Sequence, residues 1–115
     1  MIDFACKKFN LNEIIKCSLN LTKLEFTMLE FLIKKDNKWF SANDISKKLG
    51  IGLSTTQKGV KKLNEKNVLL QRQENIPGGG YYFVYKMTNK HKLKRNILII
   101  VQNWTKKVES ELNQW

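Results

Sequence analysis

The sequence contains few of the residues that interrupt helices and few of those that bind metals. Its 115 residues include one proline, six glycines, two cysteines and one histidine. Because proline and glycine are scarce, we predict a mainly helical chain with one sharp reversal at residues 76–80, where the proline and three glycines cluster. Cys6, Cys17 and His91 do not have the spacing of metal ligands. We therefore expect neither a metal nor a cofactor.

Long apolar runs are also missing. The longest, residues 97–101, contains five residues, whereas a transmembrane helix needs about 20. Residues 1–9 lack an apolar segment of signal-peptide length. Carboxylates are few, and the sequence offers no nucleophile–base pair. We expect a single-domain cytoplasmic protein that has no membrane partner and is not an enzyme.

Positive charge is abundant by contrast. Lys and Arg number 21 against 10 Asp and Glu, which gives a net charge of +11 and a pI of about 9.8. Hydrophobic residues make up 42% of the chain, enough for a packed core, so wholesale disorder is excluded. Nucleic acid is the commonest partner of so basic a domain. We therefore expect a nucleoid-associated protein.

Helical periodicity predicts helices over residues 11–17, 23–35, 42–49, 55–66 and 89–113. The pair Thr22 and Glu25 has the spacing of a capping box, and so does the pair Ser54 and Gln57. Gly50 stands where a helix C-terminal cap belongs. Residues 68–73 and 81–87 are rich in β-branched and aromatic residues and predict a β-hairpin with a glycine-rich tip.

The helices at residues 42–49 and 55–66 are joined by a short turn that contains glycine, which is the pattern of a helix-turn-helix. The hairpin at residues 68–87, called the wing below, follows directly and makes the motif a winged helix-turn-helix. The predicted fold class is thus mainly α with a small β-hairpin. We assign residues 1–88 to a DNA-binding unit with an N-terminal helical extension, and residues 89–115 to a dimerisation helix of the same domain.

The helix over residues 54–66, called the recognition helix below, can enter the major groove of duplex DNA. We assign Thr55, Gln57 and Lys58 to base contacts, because the N-terminal residues of such a helix meet base edges. Neighbouring positions are assigned to the phosphate backbone or, on the wing, to the adjacent minor groove. These further residues are Ser54, Lys61, Lys62, Lys47, Lys48, Arg72, Gly78 and Gly79.

Each assignment has a plainer alternative. Lys61 and Lys62 could belong to a solvated helix face, and Gln57 could act only in the capping box. Gly59 permits close approach to DNA or to another helix, or it is merely tolerated. The aromatic residues at 81–85 could stack on RNA bases, but in a hairpin with alternating side chains half of them are expected in the core.

The two cysteines also leave alternatives open. We expect Cys6 and Cys17 to be buried or half-buried free thiols. A disulfide and a redox switch are the other hypotheses for this pair.

Residues 15–25, 53–63 and 77–85 carry a family resemblance. The second stretch begins its helix with Ser54-Thr55, and the third contains Gly-Gly-Tyr-Tyr. With these stretches, residues 14 to about 104 resemble archaeal winged-helix transcription regulators of the TrmB-like group, which are close to MarR-type proteins. The resemblance implies a dimeric DNA-binding fold. Relatives tend to carry Arg where this chain has Gln57, Lys58 and Gly59, so no base preference follows, and we expect no sugar-sensing role.

The last predicted helix has one apolar face with spacings of 4, 3, 4, 4 and 4 residues. The residues of this face are Leu93, Ile97, Ile100, Trp104, Val108 and Leu112. So small a domain cannot bury the whole face, and exposed apolar surface favours association, so we predict a homodimer through it. The alternative is packing against the helices at residues 11–17 and 24–33 of the same chain.

Together these patterns predict a homodimeric, sequence-specific regulator of transcription that binds double-stranded DNA. The alternatives are a non-specific architectural DNA binder and a winged helix of the transcription machinery that binds proteins. No set of residues marks a pocket for a small-molecule effector, so an effector is left unassigned.

Overall fold

The computed structural model describes residues 2–4, 7–35 and 37–115. The helices are α1 (Leu11–Ser18), α2 (Lys23–Lys34), α3 (Ala42–Leu49), α4 (Leu53–Glu65) and α5 (Lys90–Asn113). The strands are β1 (Ile2–Phe4), β2 (Lys7–Phe9), β3 (Phe40–Ser41), β4 (Leu69–Asn75) and β5 (Tyr81–Met87). The predicted fold class, mainly α with a small sheet, is confirmed.

The chain divides into two compact units. One consists of Thr22–Thr88, and the other of Met1–Leu21 together with Asn89–Trp115. One boundary falls between Leu21 and Thr22 and the other between Thr88 and Asn89. Helices α1 and α5 therefore belong to the same unit. The assignment of residues 1–88 to DNA binding and of 89–115 to dimerisation stays a prediction.

The unit Thr22–Thr88 packs α2, α3 and α4 against a three-stranded antiparallel sheet of order β3-β5-β4. Its buried side chains come from every helix and from β4 and β5, so one core joins the helices to the sheet. Met28, Leu29 and Leu32 enter it from α2, Ile45 from α3, and Val60 and Leu63 from α4. The sheet contributes Leu69, Val84 and Met87.

Local capping fixes where α2 and α3 begin. The predicted capping box at α2 is confirmed, since the Thr22 N–H donates to Glu25 at 2.7 Å and the Glu25 N–H donates to the Thr22 hydroxyl at 3.2 Å. A second box joins Ser41 and Asp44 at the start of α3. That helix ends at Gly50, whose φ of 66° is the predicted left-handed cap.

The predicted capping box at Ser54 and Gln57 is wrong. Helix α4 begins at Leu53, its N-cap is Gly52, and no side chain caps it. Thr56 is fully buried, and its hydroxyl donates to the Gly52 carbonyl oxygen at 2.9 Å, which satisfies the hydroxyl inside the helix. The Thr56 N–H also donates to the Gly52 carbonyl oxygen, at 3.0 Å, so the helix has already begun at Leu53 and Ser54 lies within its first turn.

The wing forms as predicted, but its aromatic residues do not divide evenly between core and solvent. Tyr81, Tyr82 and Phe83 are 59%, 46% and 37% exposed, and only Tyr85 is half-buried. The expectation that half of them are core is wrong for this reason: the first residues of β5 pair with the last residues of β4, away from the buried ends at Leu69 and Met87.

In the unit that contains α5, β1 and β2 form an antiparallel hairpin before α1, which the sequence did not predict. Helix α1 contacts α5. Cys17 is exposed, so the expectation of a buried or half-buried thiol is wrong for it, because Ile14 and Ile15 occupy the covered side of α1. Cys6 and Asp36 lie outside the described residues.

In the part of the chain that the structure describes, no helix is long and apolar enough to cross a membrane.

Candidate nucleic-acid interface

The turn between α3 and α4 is closed by hydrogen bonds. The N–H groups of Gly50 and Ile51 both donate to the Ser46 carbonyl oxygen, and the Ser46 hydroxyl donates to the Ile51 carbonyl oxygen. These bonds tie the first two residues of the turn to the last turn of α3 and fix where the chain leaves that helix. Two helices joined by a short turn that contains glycine form a helix-turn-helix.

Helix α4 has one buried side and one exposed side. Thr56, Gly59, Val60 and Leu63 are buried at a helical spacing. The opposite side exposes five of the residues assigned to DNA, namely Ser54, Thr55, Gln57, Lys58 and Lys61. Since no side chain caps α4, the interpretation of Gln57 as a capping residue is excluded, and its amide faces solvent. The exposed side is therefore polar and basic, without a carboxylate partner in its first three turns.

Gly59 resolves one of the alternatives left by the sequence. It is buried, and a Cβ built on it would lie 2.5 Å from Sδ and 2.8 Å from Cε of Met28 in α2. The absence of a side chain therefore allows α4 to pack closely on α2. Gly59 serves the contact between two helices and does not face outward with Lys58.

Lys62 differs from the other assigned lysines. Its ammonium donates to the Glu25 carboxylate at 2.9 Å, and both side chains are largely covered. Burial alone would raise the pKa of Glu25, but hydrogen bonds from Thr22 and Lys62 together with the Lys62 charge hold it below its ordinary value. Lys62 therefore has a carboxylate partner within the protein, whereas Lys58 and Lys61 have none among the described residues.

Two further lysines, Lys47 and Lys48, are exposed on the last turn of α3. Cations at a helix C-terminus interact favourably with its dipole. Their position beside the turn extends the basic surface of α4 to the end of α3, and their assignment to phosphate contacts stays a prediction.

On the wing, Arg72 is held from two sides. Its guanidinium forms an ion pair with Glu74 at 2.6 Å and lies over the Trp39 ring, 4.4 Å from the centroid. The Lys86 ammonium lies 5.0 Å from the same centroid. Trp39 and Lys86 were missed by the sequence analysis, because the contact depends on β3 pairing with β5, and no local signal shows that pairing.

Three consecutive glycines expose backbone at the wing tip. Gly78, Gly79 and Gly80 have φ values of 91°, 123° and 88°, which disfavour any other residue. Nothing lies near the Cβ positions of Gly78 and Gly79. A backbone segment of three glycines can approach another molecule closely, as its assignment to the DNA backbone requires. No three His, Cys, Asp or Glu side chains in the described ranges are grouped as metal ligands would be.

A comparison with protein families gives a match over most of the chain. The DnaD N-terminal domain family matches residues 9–108. The chain belongs to this family.

Solved structures resemble this DnaD N-terminal domain. A "possible transcriptional regulator" from Methanosarcina mazei Go1 is 41% identical, with a TM-score of 0.94 over 100% of this chain and 96% of that one. A point mutant of Staphylococcus aureus MepR, bound to an oligodeoxyribonucleotide, is 18% identical with a TM-score of 0.56 over 90% and 77%. MarR of the same organism, in complex with salicylate and kanamycin, is 22% identical with a TM-score of 0.52 over 88% and 65%.

A relative of this DnaD N-terminal domain, an uncharacterized protein of Methanocaldococcus jannaschii, is 25% identical over 104 residues, or 90% of this chain and 77% of that protein. The likeness to MepR and MarR concerns the fold, and it confirms the winged-helix architecture. The narrower resemblance to TrmB-like regulators stays a prediction.

Proposed function

We propose that this protein is a sequence-specific regulator of transcription that binds double-stranded DNA as a homodimer. The observation that carries the proposal is the exposed side of α4, where Lys58 and Lys61 project without a described carboxylate partner from the helix-turn-helix. The names of similar proteins support it, since the Methanosarcina relative is called a possible transcriptional regulator and MepR was solved with an oligodeoxyribonucleotide.

In this proposal α4 lies in the major groove. Thr55, Gln57 and Lys58 point outward from its first two turns and contact base edges. An amide can bond both the donor and the acceptor of adenine, and a lysine can donate to guanine. This division of roles makes Gln57 and Lys58 the residues that discriminate between sequences.

Phosphate contacts come from the surrounding basic residues. Ser54 and Lys61 border the base-contacting residues on α4, and Lys47 and Lys48 extend the surface onto α3. Lys62 can join them only in competition with Glu25. Arg72 and the backbone of Gly78 and Gly79 approach the adjacent minor groove or its phosphates. Because these contacts release counterions, affinity should fall steeply with salt.

The homodimer is supported by the exposed part of α5. Leu93 is buried and Ile97 and Ile100 are half-buried, but every residue from position 101 to position 115 is exposed. Trp104, Val108 and Leu112 share one face of the helix and are 57%, 40% and 59% exposed. A second copy of α5 would cover this face and would place two recognition helices on one duplex.

Selection of bound sequences from a random duplex pool tests the proposal, with the oligomeric state measured in parallel. We expect one enriched motif with two related half-sites. Binding without enrichment would instead favour the architectural DNA binder, and no duplex binding at moderate salt would favour the protein-binding winged helix.

A further inference from the structure

The outer part of the wing carries exposed aromatic rings but no basic side chain. Between Gln73 and Phe83 the only charged residue is Glu74. Over the same stretch Ile76, Tyr81, Tyr82 and Phe83 are each at least 37% exposed. A surface of this kind cannot hold DNA by ion pairs, and scattered exposure does not explain adjacent rings on one hairpin.

The strand register sorts these rings onto two faces. Asn75 pairs with Tyr81, Gln73 with Phe83 and Gln71 with Tyr85, so these six side chains share one face. We call it the helix-side face, because the Asn64 amide of α4 donates to the Gln71 side-chain oxygen at 2.9 Å. Tyr82 pairs with Glu74 on the opposite face.

The helix-side face changes character along its length. Near α4 it is buried at Leu69 and Met87, and it becomes exposed at Phe83 and Tyr81. The rings of Tyr81 and Phe83 touch edge to face, with centroids 5.5 Å apart and planes at 71°. The amides of Gln73 and Asn75 lie opposite them and bond each other at 3.2 Å.

We propose that the Tyr81–Phe83 pair is a wedge that enters the minor groove beside the recognition helix and partly unstacks one base step. Apolar and aromatic side chains do this in proteins that bend DNA, and amides beside them bond the minor-groove acceptors. The occupant is duplex DNA because this face continues from α4, whose outer side is basic and exposed. Gly78 and Gly79 have open space at their Cβ positions and add no side chain that would hold the duplex away.

This inference rests on the proposed function and adds a mechanism to it, namely that DNA is bent at the wing. The contribution of the wedge to affinity can be distinguished from that of the phosphate contacts by its dependence on salt. Because stacking involves no ion pair, loss of Tyr81 should weaken binding without changing the dependence of affinity on salt. Loss of Lys61 should flatten that dependence.

The experiment uses the full chain and the duplex recovered by selection, labelled with a donor and an acceptor fluorophore at its two ends. We expect the wild type to bring the ends closer together. Tyr81→Ala should bind about tenfold more weakly, since one base–aromatic stack is worth roughly that much, and should leave the duplex nearly straight. Phe83→Ala should also weaken binding and reduce the bending of the duplex. Thermal unfolding of each variant confirms that the fold is retained.

Tyr82→Ala is the matched control, because Tyr82 is a neighbouring exposed tyrosine on the opposite face. It should bind and bend DNA as the wild type does. Equal losses in Tyr81→Ala and Tyr82→Ala, or a Tyr81→Ala variant that bends DNA normally, would overturn the wedge while leaving the regulator intact. If Tyr81→Ala or Phe83→Ala lost self-association but bent DNA as the wild type does, the two rings would belong to a protein interface instead. If the wild type bound no duplex, the proposed function itself would be overturned.

Discussion

At the scale of single residues, Gly59 shows how one missing side chain controls helix packing. A Cβ there would come within 3 Å of the end of the Met28 side chain, which is fully buried and would have to shift. We expect Gly59→Ala to reduce the free energy of unfolding by about 1 kcal/mol, because overpacking of about 1–3 kcal/mol outweighs the gain of about 1 kcal/mol in helix propensity. Urea denaturation measures the change.

The control for this prediction is a double-mutant cycle with Met28→Ala. Removing the Met28 thioether takes away the atoms that a Cβ would meet, so Met28→Ala should destabilise the Gly59→Ala variant less than it destabilises the wild type. If Gly59→Ala alone were stabilising and the two changes were additive, the packing explanation for this glycine would be wrong.

Glu25 gives a prediction for pH. Its pKa is lowered in the folded state, so ionised Glu25 stabilises the fold above its unfolded-state pKa of 4.5, and this stabilisation is lost as the pH falls through the folded-state value. Glu25→Gln keeps an oxygen that can accept the Thr22 N–H but loses the charge that attracts Lys62. We expect the variant to be about 0.5–1 kcal/mol less stable at pH 7.

The measurement is the free energy of unfolding of both proteins at several pH values between neutral and acid. The two curves should converge once the pH has fallen below both pKa values, because the wild-type carboxyl is then neutral too. A difference that persists unchanged into acid would show that the charge of Glu25 contributes nothing and that the effect comes from the amide itself.

At the scale of elements, neighbouring lysines of α4 should behave differently toward DNA. Lys61 is exposed, whereas Lys62 is already paired with Glu25. Lys61→Ala should weaken binding to all sequences and reduce the slope of log affinity against log salt by about one. Lys62→Ala should change this slope less but lower the melting temperature, since it leaves the largely covered carboxylate of Glu25 without its cation.

Salt titrations of DNA binding, together with thermal unfolding, test this pair. Lys58→Ala serves as the reference for base recognition and should reduce discrimination between the selected site and a scrambled one. Equal slopes for Lys61→Ala and Lys62→Ala would mean that Lys62 leaves Glu25 when DNA binds, and the competition between carboxylate and phosphate would then favour phosphate.

At this scale, the sequence predicted the features that depend on residues close together in the chain. The Thr22–Glu25 box, the Gly50 cap and the wing all follow from residues a few positions apart, and they are confirmed. Ser54 and Gln57 have the same spacing as Thr22 and Glu25, yet α4 begins one residue earlier, at Leu53, because the Gly52 carbonyl oxygen accepts from the Thr56 N–H. Spacing alone cannot show which backbone carbonyl begins a helix.

Contacts between residues that are far apart in the chain could not be predicted from the sequence. Lys62 and Glu25 are 37 positions apart, so no periodicity predicts that they pair. The contact of Trp39 with Arg72 likewise depends on the register of β3 against β5. These contacts decide which of the predicted DNA-binding cations already have a partner within the protein. They could be identified only from the three-dimensional structure.

At the scale of the whole molecule, the net charge and the exposed face of α5 act against each other. Each chain carries +11, so two copies repel, and the proposed dimer would have to rest on apolar contact. Trp104→Glu places a carboxylate in the middle of the exposed face and should convert the proposed dimer to a monomer, as measured by analytical ultracentrifugation. Gln102→Glu, which adds the same charge at an exposed position outside that face, should remain dimeric.

For the proposed dimer, the same opposition predicts that dimerisation and DNA binding respond to salt in opposite directions. Salt screens the repulsion between two basic chains, so we expect the dimer to dissociate less readily as salt rises, whereas DNA binding weakens because counterions compete for the phosphates. If both recognition helices contact one duplex, the Trp104→Glu monomer should show about half the wild-type slope of log affinity against log salt, since it neutralises half as many phosphates. Fluorescence anisotropy with the selected duplex measures this slope. A monomeric variant that kept the full slope would mean that one chain makes all the contacts, and the pairing through α5 would then have no part in DNA recognition.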